Sequence, residues 1–332
     1  MYDGLPEKLA ALEAELERDP DSAAQREKLL WAYFDAFLSE AHPRRVEHIL
    51  WFLRHAPRAV ECRTPIVNVS AETSPDAYRQ IEGEWLRLLA EHPNDHEIAR
   101  GTALFVAGAN RARGTTMLRD FLERVPDAAE AWLDLGRITE APTERLACLR
   151  ESSRLGGTNP NLLAWIAATA AKVGNLEVAE SAARELLAQV AAVRAEHGDV
   201  LDWREGGTAL WERALAFAGA PSAARSLTSA IDKANERGHW GHSVLGQVAL
   251  ARGDRPAAVE HLRASGRVGC SPRLSSYGPS VALAAKLCAV GDWESVGEYL
   301  RDCARFFDDE QLDEWCAQVE KRELPDFGDE RD

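Results

Sequence analysis

The sequence predicts an all-α fold: a solenoid of short antiparallel helix pairs behind an N-terminal helical cap. Three observations carry that reading. The hydrophobic period is helical along almost the whole chain. Alanine, leucine, glutamate and arginine, all helix formers, dominate the composition. Helix-breaking residues recur at short, regular intervals, many followed by an Asp or Asn able to cap the next helix. The clearest β-like run, Ile66-Val67-Asn68-Val69, is too short to start a sheet.

Taken in order, residues 5–18, 22–40 and 43–55 read as three helices. Asp19-Pro20-Asp21, His42-Pro43 and Ala56-Pro57 punctuate them. They match no repeat, so residues 1–62 read as the cap. Residues 63–74 read as a linker, in which Asn68-Val69-Ser70 is a formal glycosylation sequon with no visible secretory signal to give it use. Repeats are expected over 75–327 and an acidic tail over 328–332. Within the repeats, helices are expected at 75–91, 95–108, 112–124, 128–140, 143–155, 160–173, 176–197, 205–218, 221–236, 240–252, 255–265, 279–290, 293–306 and 310–321. Proline marks the early breaks, at Pro93 and Pro126. Glycine marks the later ones, at Gly156-Gly157, Gly174-Asn175, Gly206-Gly207, Gly253-Asp254 and Gly291-Asp292. Such helices cannot each bury a face alone, and stacking supplies the continuous core. Trp132, Trp165, Trp211, Trp240 and Trp293 are expected near helix starts, as wedges between pairs.

The chain has 332 residues, 45% hydrophobic and 28% charged, with a formal net charge of -15. That composition is globular. The acidic balance disfavours a nucleic-acid partner, which needs a concentrated positive surface. No run approaches the length of a membrane span. The first residues carry many charges and no apolar leader core. The six cysteines, Cys62, Cys148, Cys270, Cys288, Cys303 and Cys316, form no CxxC pair. These features point to a cytoplasmic protein with buried thiols, no membrane association, no cofactor and no structural zinc. They leave the oligomeric state open.

A step of 34 residues relates Ile98 to Trp132 and Pro126 to Pro160. Trp132-Leu133-Asp134-Leu135-Gly136 resembles the helix-A signature W-x-x-L-G of tetratricopeptide (TPR) repeats. His242-Ser243-Val244-Leu245-Gly246 keeps its Leu and Gly and continues into Gly253-Asp254, Ala258 and Leu262. Weaker copies are Gly174-Asn175 with Ala179 and Ala183, and Gly291-Asp292 with Val296 and Leu300. The resemblance covers roughly residues 75–306 and implies a right-handed, TPR-like solenoid. It departs in spacing: Gly253 to Gly291 is a longer step, and residues 266–279 form an inserted loop. The segments Ser271 to Pro279 and Pro325-Asp326-Phe327 also resemble a group of bacterial repeat proteins, a likeness that implies fold and no activity.

The TPR resemblance implies a protein- or peptide-binding adaptor or scaffold that uses the concave face of the solenoid, where helix A lines a groove for extended peptides or partner helices. Carried over by position, that face comprises His96, Glu130, Arg137, Asn161, Trp240, Ser243 and Gln247. The family's two-carboxylate clamp of Lys and Asn is absent, which disfavours chaperone-tail binding. The alternative is an enzyme, or an enzyme's partner, with a small-molecule site near the 266–280 loop. Arg273 offers an anion site there and Tyr277 a phenol. That reading expects His239, His242, Arg273 and Tyr277 to converge. Three histidine pairs invite a metal reading: His239 with His242, His92 with His96, and His48 with His55. Each lacks a third ligand or a continuous helix, so packing or solvation is the simpler reading. No Walker loop, Rossmann fingerprint, HExxH or Gly-x-Ser-x-Gly elbow is present.

Overall fold

The computed structural model describes residues 5–35, 42–59, 64–197, 214 and 220–327. All regular structure among them is helical. No helix there is long and apolar enough to cross a membrane. The chain divides into two compact units, residues 1–157 and 158–332.

The first unit holds α1 (Leu5–Arg18), α2 (Ala23–Asp35), α3 (Pro43–His55), α4 (Pro75–Glu91), α5 (His96–Ala109), α6 (Arg111–Arg124), α7 (Ala129–Ile138) and α8 (Pro142–Arg154). Each packs on the next in sequence, and α5 also touches α7. That second contact stacks one helix pair on another. Arg100 on α5 donates to Asp134 on α7 at 2.6 Å, across 34 residues, so the step of the sequence repeat is also a step in space. Burial pushes the Asp134 carboxyl up, and the Arg100 charge pulls against it. Residues 64–74 do more than connect. Pro65–Val67 forms a 3-10 turn. Ile66, Val67 and Val69 enter the core with Ile49, Phe52, Ile81 and Trp85. The buried Arg45 guanidinium donates to the carbonyls of Ile66 and Asn68, at 3.0 Å each.

The second unit holds α9 (Leu162–Lys172), α10 (Leu176–His197), α11 (Pro221–Ala251), α12 (Arg255–Gly266), α13 (Pro272–Tyr277), α14 (Ala282–Ala289), α15 (Trp293–Cys303) and α16 (Glu310–Glu320). Here α9, α11 and α14 form one row, α9 touching α11 and α11 touching α14; α12 and α15 touch in a second row, and α10 packs on α9 and α11. This is the stacked-pair arrangement of an α-solenoid. Arginines tie α12 to α15. Arg255 donates to Asp292 at 2.8 Å, Arg263 to Glu298 at 3.0 Å and Arg267 to Asp302 at 3.1 Å, spaced 37, 35 and 35 residues apart.

The expected small and turn residues fill their roles. A Cβ on Gly246 would overlap Leu283 and meet the Ala258 carbonyl at 3.2 Å, so glycine there lets three helices close up. Gly253 and Gly291 turn out of their helices at φ +83°. Asp254 then caps α12 by accepting from the Ala257 amide at 3.0 Å.

Two expectations change. The helices expected at 221–236 and 240–252 are one helix of 31 residues, α11. Gly238 and His239 do not break it, because both are buried where neighbours press close. A Cβ on Gly238 would meet Val268 at 3.3 Å, and Gly241 faces Leu187. Consequently Trp240 sits in mid-helix and not near a start. The inserted loop, in turn, contains the short helix α13. The expected helix 205–218 lies outside the described residues apart from buried Ala214, and residues 36–40 and Trp211 lie outside them too.

Candidate functional site

The chemistry-bearing residues of the second unit gather on the outward faces of α9 and α11. On α9, Leu162, Ile166, Ala167, Thr169 and Ala170 are buried. Asn161, Ala164, Trp165 and Ala168 therefore share the opposite face. On α11, Ile231, Ala234, Asn235, Gly238 and His239 are buried. That leaves Asp232, Glu236 and Trp240 as one stripe at i, i+4 and i+8. Between these faces, and bordered also by Pro272 and Arg273 of α13, lies a cleft of about 330 Å³. Ala164 and Ala168 give it room. Trp165 and Trp240 supply its aromatic surface, and both are partly buried.

The residue before Trp240 anchors this part of α11 to the core. His239 is fully buried. Its Nε2 accepts from the Ser280 amide at 2.8 Å, which leaves Nδ1 to carry the proton and donate to the Ser265 carbonyl at 2.9 Å. Burial holds this imidazole down to about 4, so it stays neutral. Its ring meets Trp240 edge-on, with centroids 5.9 Å apart. Ser280 is gripped further: its hydroxyl pairs with Ser243 at 3.1 Å and its carbonyl accepts from Tyr299 at 2.6 Å. The loop from 266 to 280 is thus fastened to the core of the unit. Ser271 starts α13 by accepting from the Leu274 amide at 3.1 Å.

Of the residues expected to bind, the structure brings Asn161, Trp240 and Arg273 to the cleft. Ser243 is 1% exposed and engaged with Ser280. Gln247 is buried and accepts from Lys286 at 2.6 Å. Tyr277 stands in solvent, 72% exposed. Arg137 belongs to the first unit, where it faces Asp134 at 3.6 Å. His96 there lies edge-on to Phe121, and Glu130 faces Arg100 at 3.6 Å.

The four groups of the enzyme reading form no hydrogen-bonded cluster. His239 is committed to Ser265 and Ser280, and His242 pairs with His261 of α12, Nδ1 to Nδ1 at 3.1 Å. In the first unit His48 is buried between Arg26 at 3.0 Å and Glu13 at 3.2 Å, while His55 stacks on Trp51. Among the described residues no group of three or more His, Cys, Asp or Glu is placed to hold a metal ion.

Sequence reasoning missed Asp232 and Glu236, and took Trp165 only as a packing wedge. Ending one helix at 236 and starting another at 240 hid the stripe. Asp232 is partly buried, and its carboxyl is raised to about 6, first by burial and then by Glu236. A second cleft in this unit, of about 580 Å³, lies against α10, α11 and α12. Three of its charges already satisfy one another: Glu180 accepts from Arg252 and from Arg184, each at 2.6 Å, and these bonds hold its carboxyl low.

Comparison with known proteins finds no family model and no curated protein matching the chain. Among solved structures the chain is similar to the TPR domain of P58(IPK), at 14% identity over 96% of this chain and 94% of that one, with a TM-score of 0.26. A superposition that loose carries no argument about the site.

Proposed function

We propose that the chain is a peptide-binding adaptor, and that the cleft between α9 and α11 is where it grips a partner. The observation that carries this reading is the pair of partly buried tryptophans, Trp165 and Trp240, on facing helices across an open cleft of about 330 Å³. Two indoles bury much area with little loss of side-chain freedom, which is why tryptophan dominates binding hot spots. Asn161 and Arg273 lie at the same cleft and can donate to the carbonyls of an extended peptide. The stacked helix pairs support the reading from a second side, since repeats of this kind present faces that the stack itself does not cover.

The test is a selection of binders from a random-peptide display library on the purified chain, followed by affinity measurements on Ala168→Phe. Ala168 lies on the cleft face of α9, so phenylalanine there fills the cleft and leaves the buried face of the helix alone. Selected peptides should lose at least tenfold in affinity. Peptides that bind Ala168→Phe as well as the parent would refute the placement of the site.

A further inference from the structure

The stripe on α11 suggests what the cleft selects. We infer that it takes the cationic side chain of an arginine or lysine in the bound peptide, held by Asp232 and Glu236 and stacked against Trp165 and Trp240. The inference rests on the peptide-binding reading above.

Charge placement is the first argument. Asp232 and Glu236 lie one helical turn apart with Trp240 one turn beyond, and all three border the same cleft. Among the described residues, no ion pair or hydrogen bond joins either carboxylate to Lys233, Arg237 or Arg273. Lys233 and Arg237 border this cleft and also a neighbouring one, which Val193 and Arg225 line as well. They therefore stand on the ridge between the two clefts, whereas Asp232, Glu236 and Trp240 border the first of the two and not the second. The stripe is left as two adjacent carboxylates beside aromatic surface.

Desolvation is the second argument. Asp232 is raised by burial and by Glu236, with no cation offsetting either. Beside this stripe, an apolar side chain would bury these carboxylates further without a partner, and an anion would meet repulsion from both, its attraction lying instead towards Arg273. A guanidinium or ammonium removes both costs. It also sits well against indole faces, to whose negative quadrupole cations are drawn. Arginine fits better than lysine, because its planar fork can donate to two carboxylates while stacking.

The test uses the strongest display-selected peptide, synthesised with each basic residue in turn replaced by citrulline, the neutral isostere of arginine. At one position citrulline should weaken binding at least tenfold in the parent chain. The double variant Asp232→Asn, Glu236→Gln should bind the basic and citrulline forms alike. Binding of the basic peptide should also weaken several-fold between pH 7 and pH 5, as the Asp232 carboxyl takes up its proton. If citrulline costs nothing while Ala168→Phe still blocks binding, the cation inference is overturned and the cleft remains. If no peptide is selected, the peptide-binding reading fails and takes this inference with it; if peptides bind but Ala168→Phe blocks nothing, the cleft is not the site and this inference falls while peptide binding stands. Thermal melts of each variant confirm folding. Should Ala168→Phe not fold, Trp165→Ala, with most of its cleft surface removed, takes its place.

Discussion

Replacing the hydrogen of Gly246 by a methyl group would drive it into Leu283 of α14 and against the Ala258 carbonyl. Overpacking of this kind typically costs 1–3 kcal/mol, so Gly246→Ala should destabilise the second unit by ~2 kcal/mol, read as a lower urea midpoint. Its importance was legible in the sequence, since Leu245-Gly246 stands where the TPR signature places its Leu and Gly. His239 was not legible in the same way. Its sequence neighbours suggested a metal pair, but its partners, the Ser265 carbonyl and the Ser280 amide, lie 26 and 41 residues away. His239→Leu strands two buried backbone groups, and at 1–3 kcal/mol for each the unit should lose about 3 kcal/mol. A melting temperature unchanged by that substitution would contradict a structural role for His239.

At the scale of the element, α11 decides where the site lies. Glycines 238 and 241 each cost ~1 kcal/mol of helix propensity relative to alanine, and on propensity alone a break at 237–239 is reasonable. Tertiary packing overrides it, because the same glycines admit Val268 and Leu187 against the helix. Hydrogen exchange should show it: the amides of residues 237–241 should be protected like those of 244–248. Exchange at the rate of an exposed loop would instead restore two helices and dissolve the stripe of Asp232, Glu236 and Trp240. Other elements were plain from local signals. Asp95 accepts from the amides of Glu97 and Ile98, capping a helix just after the break that Pro93 marks in the sequence. The 64–74 stretch was opaque because what fixes it, the Arg45 guanidinium on its carbonyls, comes from another helix.

For the molecule as a whole, the buried histidines set the response to acid. Folded His239 and His242 are each held to about 4, against an ordinary 6.5, chiefly by burial. The unfolded chain therefore takes up protons first as pH falls. Their contribution is complete above pH 6.5 and is lost as pH drops towards 4. For His239 that amounts to something on the order of 3 kcal/mol. His242 adds to the loss, since protonation would set two positive charges face to face at His261. Asp232 opposes it: raised to about 6, its folded carboxyl gains a proton before the unfolded one does and so favours the fold as pH falls. Buried His48 and partly buried His261 are lowered as well and act with His239 and His242, while raised Asp134 acts with Asp232. The lowered carboxyls of Asp95, Glu180 and Asp292 also lose their contribution in acid, so stability should decline between pH 7 and pH 4. Urea melts at several pH values check this, and His239→Leu should flatten the profile.

The all-helical, paired architecture was readable in the sequence because its punctuation is local. The cleft was not, because it depends on the contact of α9 with α11 across residues far apart in the chain. The measurement that bears most directly on it is an NMR titration of the tryptophan indole N–H signals with a display-selected peptide, assigned by single Trp→Phe variants. Trp165 and Trp240 should shift first and furthest, while Trp85 and Trp315, buried in the cores of the two units, stay in place. A peptide that binds and leaves Trp165 and Trp240 unmoved would contradict the cleft as the site of recognition.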